Sequence, residues 1–180
     1  MADEKKEPWL NYLAMTTVLF AVLATLSTFK GGNYSTKSLL FQSQASDQWA
    51  YFQAKSIKSY LYEGQKDRYE TELNFSESEL SASGIKHYNE KIAFFGEKIK
   101  KYDSEKAAIS AEAKKLEKLR EDAQQHSRAF GMAIIFLQIA ILIGSISALM
   151  KKKSLWLVSI VIGSAGILYF INGFLLFLPV

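Results

Sequence analysis

The nearest approach to recognisable chemistry in this chain is Lys30-Gly-Gly-Asn-Tyr-Ser-Thr-Lys-Ser38. Read from Gly31 it almost spells the phosphate-binding loop G-x-x-x-x-G-K-[ST], with Lys37 and Ser38 in register. In that loop, backbone N–H groups cradle phosphates, the lysine reaches the outer phosphates and the hydroxyl meets magnesium. Here Thr36 stands where the second glycine should let the backbone wrap. An apolar block of helical length precedes the stretch instead of a buried strand, and no carboxylate-ended apolar strand follows. The sequence therefore reads as a joint between helices. Gly31-Gly32 is expected to flex and Ser35 to cap the next helix.

Polar chemistry is densest in Phe41-Gln-Ser-Gln-Ala-Ser-Asp-Gln-Trp-Ala-Tyr-Phe-Gln-Ala-Lys-Ser56. Ser46, Ala50 and Ala54 fall four apart, one helix face of small residues on which another backbone can approach closely. Gln42, Gln44, Gln48 and Gln53 supply amides, Asp47 a charge, and Trp49, Tyr51 and Phe52 bulk. A tight polar helix contact suits this composition better than a ligand-binding mouth. Leu39, Trp49, Phe52, Ile57, Leu61, Tyr62, Tyr69, Leu73 and Leu80 form the mixed apolar seam of the same segment.

Elsewhere the signals are weaker. Gln138 and Asn172 are amides inside apolar blocks, where such groups seek partners; by depth Thr25 suits Gln138, and Ser27 or Thr28 suits Asn172. Ser159, Gly163 and Gly166 give the last block a close-contact face. His87 and His126 lie some 58 Å apart along one helix, too far to share a metal, and each reads as a surface residue. The chain has no cysteine, so thiolate catalysis, disulfides and cysteine-ligated zinc are excluded. No nucleophile–base pair or paired carboxylate emerges. No cofactor, metal or catalytic residue is expected.

The elements that position these residues follow from charge. Asp, Glu, Lys and Arg are absent from 8–29, 129–150 and 154–180, although the chain carries 22 basic and 18 acidic residues. Each block exceeds the ~20 residues that cross a bilayer as a helix, and one mid-helix charge would cost about 2.5–3.5 kcal/mol. Transmembrane helices are expected at 9–29, 129–150 and 155–178, with a tail at 1–8 and a basic loop at 151–154. The first is not expected to be a signal peptide. The residues before it are of mixed charge, its apolar run is too long, and Ser27-Thr28-Phe29-Lys30 offers no small-x-small cleavage site.

Between the blocks, 30–128 reads as a helical hairpin. One position repeats as Ile85, Ile92, Ile99, Lys106, Ala113, Arg120 and Ser127; the other as Tyr88, Phe95, Tyr102, Ile109, Leu116, Ala123 and Phe130. This is a coiled-coil seam running into the second span without a break. Ser81-Ala-Ser-Gly84 is the expected turn, with Gly84 left-handed. Arms of about 35–80 and 85–128 match in length, which returns the chain to the membrane. The fold class is all-α membrane protein, three transmembrane helices with a long antiparallel hairpin between the first and second.

"QASDQWAYFQAKSIK", following "GGNYS", resembles an uncharacterised group of bacterial membrane proteins, the domain-of-unknown-function family numbered 4337. Gln44, Ala45, Ser46, Asp47, Gln48, Trp49, Tyr51, Gln53, Ala54 and Lys55 carry the likeness. The resemblance implies the same topology and a bacterial origin, and no assigned activity.

Orientation weighs Lys151-Lys152-Lys153, with Lys5 and Lys6, against seven basic residues flanking the spans on the hairpin side. Short loops obey the positive-inside rule best, so the N-terminus is placed in the cytoplasm and the hairpin outside a bacterial inner membrane, with Trp9 and Trp156 in one interface belt. A net charge of +4 without a basic stripe makes nucleic acid an improbable partner. The expected partners are the lipid bilayer, further copies of the chain and a protein docking on the hairpin. The expected role is a non-enzymatic membrane scaffold that self-associates. The alternative is a subunit of an oligomeric channel or transporter, with Gln138, Asn172 or the glutamine-rich helix facing the path.

Overall fold

The computed structural model describes residues 8–76 and 80–179. The tail at 1–7, including Lys5 and Lys6, and residues 77–79 of the expected first arm lie outside them. Three helices occur in order: α1 (Pro8–Ser76), α2 (Ala82–Met150) and α3 (Lys153–Leu175), with no strand among the described residues. α1 and α2 are each 69 residues. The chain's two prolines stand at Pro8 and Pro179, so none interrupts a helix. Pro8 opens α1, where its missing N–H costs nothing.

Three expected boundaries move. α1 runs through Gly31-Gly32 without a joint, and no glycine has a positive φ. Each helical glycine costs about 1 kcal/mol relative to alanine, an amount tertiary packing offsets. Gly31 is buried: an added Cβ would lie 3.0 Å from the Cβ of Phe130 on α2, and the Ser127 hydroxyl donates to its carbonyl at 3.1 Å. The near phosphate loop is thus a site of close helix approach, and Ser35 caps nothing. Gly84 is not left-handed either. Ser81 caps α2, its Oγ accepting the Gly84 N–H at 3.3 Å and its carbonyl the Ile85 N–H at 3.1 Å. α3 begins at Lys153 and ends at Leu175, short of 178, with Leu176 left-handed and its N–H bonded to the Asn172 carbonyl.

The described helices pack as two units, Met1–Leu40 with Leu119–Val180, and Phe41–Lys118. In the first, Phe20, Ala24, Leu137 and Ala140 form a buried cluster flanked by Leu23, Ile141, Ile162 and Ile167. Contacts between α2 and α3 run from Gly144 beside Ser159, through Leu137 against Gly166, to Phe130 against Gly173. The surface of this unit is apolar as well as its interior. Ser27, Ser147, Ser159 and Asn172 are buried, while Met15, Val18, Leu19, Val22, Leu142, Val161 and Leu168 are exposed. Each of the three helices is long and apolar enough to cross a membrane.

In the second unit, partners on α2 fall in number as those on α1 rise. Trp49 meets Glu117, Lys55 meets Glu105, Tyr62 meets Tyr102 and Phe95, Tyr69 meets Phe95 and Tyr88, and Glu72 meets Tyr88. The α2 seam from Ile85 to Leu116 is buried or half-buried throughout, Lys106 included. Lys106 fits because its stem lies in the seam while Nζ reaches Asp103 at 2.8 Å. On α1 the contact face is rotated from the expected one. Ala45 and Ser59 are buried, whereas Ile57 and Leu61, assigned to the seam, are exposed. Leu39, in the first unit, is exposed as well. Small residues let α1 lie close to α2, and the larger aliphatics fall on the far side.

Candidate functional site

The glutamine-rich stretch lies wholly on α1 and divides by face. Gln48 and Trp49 are half-buried, and Ala45 between the arms is covered. Gln44, Ser46, Asp47, Ala50, Gln53 and Ala54 are exposed. The Ser46, Ala50 and Ala54 face, expected to make a tight helix contact in the hairpin base or between subunits, points away from α2. Continuing along it, Ile57 and Leu61 remain 61% and 66% exposed.

Trp49 anchors the opposite face. Its Nε1–H donates to Glu117 at 2.9 Å, and its ring meets Phe52 edge-on at 5.6 Å. Lys55 lies 2.5 Å from Glu105 and over the rings of Tyr51 and Tyr102. The hydrogen bond to Glu105 is the largest cause raising the lysine above its ordinary value, and the same bond holds the carboxylate below its own. Arg68 likewise depresses Glu72. A depressed carboxylate contributes stability above its ordinary value of 4.5 that is lost as pH falls through the folded value. The raised lysine contributes below 10.5 and loses its share as pH rises through its folded value. Denaturant midpoints are therefore expected to be flat near neutrality and to fall on acidification below about pH 5. Glu105→Gln should make that acid fall shallower while Glu72 keeps part of it. An unchanged acid limb would show that the pair contributes nothing.

The amide candidates of the charge-free blocks separate. Gln138 is exposed, and Thr25, its expected partner, donates to the Ala21 carbonyl at 2.9 Å. Asn172 is fully buried but meets neither Ser27 nor Thr28, whose hydroxyls bond to Leu23 and Ala24 carbonyls in their own helix. Its amide instead donates to the Leu178 carbonyl at 3.2 Å and accepts the Leu178 N–H at 2.7 Å. The two amides therefore form no common polar line within the protomer. Ser159 is buried and donates to the Trp156 carbonyl at 2.7 Å. Gly163 admits the Phe20 ring and Gly166 the Leu137 side chain.

Two features of the first unit were not legible as sites. His126, expected at the surface, is tucked in. Its ring stacks on Tyr34 at 4.5 Å, and Nδ1–H donates to the Gly173 carbonyl at 2.8 Å, one of the last carbonyls of α3. The only hint was its position one turn before Phe130. Ser147, fully buried, donates to the Lys152 carbonyl at 2.8 Å and closes the α2–α3 turn in which Lys151 is left-handed. Trp9 and Trp156 do lie together, centroids 6.2 Å apart, with Trp156 Nε1–H donating to Thr16. Among the described residues no three His, Cys, Asp or Glu side chains gather to hold a metal.

These features define a class: an all-helical protein, among the described residues, with three helices long and apolar enough to cross a membrane. The chain matches the domain of unknown function DUF4337 over residues 9–176 and belongs to that family. No match was found among curated proteins or among solved structures.

Proposed function

We propose that this chain is an integral membrane scaffold. The apolar part of α1, the C-terminal part of α2 and α3 cross the bilayer, and residues 41–118 form an antiparallel helical hairpin that binds further copies of the chain. The observation that carries the membrane assignment is the apolar surface of the first unit. Large aliphatics cover the outside, and serines and an asparagine share the inside with the apolar cluster, as expected where lipid replaces water. The falling register of partners from Trp49–Glu117 to Glu72–Tyr88 supports the antiparallel hairpin. The membrane is read as the bacterial inner membrane, with Lys151-Lys152-Lys153 in the cytoplasm and the hairpin on the far side. The chain performs no reaction of its own in this reading.

Self-association is assigned to the uncovered face of α1 carrying Ser46, Ala50, Ala54, Ile57 and Leu61. Because the chain lacks cysteine, single substitutions report contacts cleanly. Ala50→Cys is expected to give disulfide-linked dimers in native membranes under mild oxidation. Ala113→Cys, at a position with no exposed surface, should remain monomeric. Monomers alone from Ala50→Cys, Ser46→Cys and Ile57→Cys would overturn the assignment.

A further inference from the structure

We propose that the cleft beside Arg128, between α2 and α3, is a binding site for one anionic phospholipid. Its phosphate would rest on the guanidinium and an acyl chain in the groove below. This rests on the membrane reading above and adds to it a specific lipid class and residue.

The cleft is lined by Arg128, Gly131, Met132, Ile135, Tyr169 and Pro179 and encloses about 500 Å³. That lies within the range of small-molecule sites. Below the arginine its walls are apolar or aromatic. Gly131 leaves the floor open, since a Cβ there would meet nothing within 4 Å. The Tyr169 ring is held as a wall by stacking on Phe136, centroids 5.5 Å apart and planes 9° apart.

Charge selects the occupant. Arg128 is the last charged residue before the charge-free block 129–150, which puts its guanidinium at the edge of the hydrocarbon. Ile135, two turns further along α2, lies about 10 Å deeper. Of the three arginines, Arg68 pairs with Glu72 and Arg120 with Glu121. Arg128 is exposed and has no ion pair or hydrogen bond among the described residues. The preceding turn offers Gln124, Gln125 and Ser127, and no carboxylate. A guanidinium is a planar fork matched to phosphate oxygens. A lone phosphate would leave the apolar groove unused; a phospholipid fills both parts.

The test uses the full chain. Sodium carbonate extraction of membranes comes first. If the protein is released, the membrane reading itself has failed and the lipid site with it. With the protein retained, purified samples are titrated with dioleoyl phosphatidylglycerol or dioleoyl phosphatidylcholine and bound lipids counted by native mass spectrometry. The wild-type chain is expected to prefer phosphatidylglycerol by about tenfold, the effect of one charge-assisted bidentate contact. Arg128→Gln should bring the two lipids to parity. Gly131→Leu should reduce retention of both by filling the groove. Lys30→Gln removes a cation that is not among the cleft residues, and it should leave the preference unchanged. A wild-type chain without preference, an Arg128→Gln chain that keeps it, or equal losses in Arg128→Gln and Lys30→Gln would each overturn the site. The last would mean a general surface potential.

Discussion

Gly163→Ala is expected to destabilise the first unit by about 1–3 kcal/mol, the cost of forcing a methyl group into a filled contact. The added Cβ would lie 2.2 Å from Cζ of Phe20 and within 2.6 Å of two more ring carbons. That ring is only 4% exposed and is packed among Ala24, Leu137 and Ala140, so it cannot swing aside. The expected readout is a lower thermal midpoint in detergent, followed by circular dichroism at matched protein concentration. Phe20→Leu removes the atoms that clash, so the double variant Gly163→Ala/Phe20→Leu should recover part of the loss. The recovery separates a specific collision from a general intolerance of the helix. If the single variant melted like the parent, Phe20 would not lie in the Gly163 notch.

The larger loss is expected from Phe130→Ala. Phe130 has no exposed surface, and its ring meets Tyr34 at 6.0 Å, Phe170 at 6.0 Å and Phe174 at 5.0 Å. It also fills the notches left by Gly31 on α1 and Gly173 on α3. One side chain thus holds all three helices at one level. Truncating a buried phenylalanine to alanine typically costs about 3–5 kcal/mol, part of it the unfilled cavity. If lipid surrounds the bundle as proposed, the transfer part is weaker, but the cavity part stays because the surrounding rings are fixed by one another. The expected result is loss of a monodisperse gel-filtration peak, or a melt lowered by more than in Gly163→Ala. Phe130→Leu should fall between. An unchanged melt for Phe130→Ala would remove this residue as the keystone of the unit.

How much of this could be read from the sequence depends on what each helix uses for contact. The charge-free blocks were legible in the sequence, and each of the three helices carries one of them. The α2 seam was legible too, since Ile92, Phe95, Ile99, Tyr102 and Ile109 mark it with large side chains. The face of α1 was not. Its inward positions include Ala45, Ser59 and Lys66, which carry little hydrophobic signal, while Ile57 and Leu61 carry much and point outward. Gly31-Gly32 misled for a related reason: glycine signals either freedom or close approach, and only the presence of Phe130 opposite decides. Gly163 and Gly166, read as a contact face, lie against the Phe20 ring and the Leu137 side chain. Asn172 and His126 were misjudged because both bond to backbone carbonyls, which leave no trace in a side-chain pattern. The phosphate-loop likeness dissolved once the stretch proved to be continuous helix.

Asn172 has a consequence for how the last helix stops. A chain leaving helical geometry exposes carbonyl and amide groups that water ordinarily satisfies, and hydrocarbon offers no substitute. Here one side-chain amide both donates to and accepts from Leu178, while its own carbonyl receives the Leu176 N–H. Such an end is self-sealing. It lets the backbone change direction while still among greasy neighbours such as Phe174 and Phe177. It also requires a group that gives and takes at once, so aspartate or leucine of similar size would leave the seal half open.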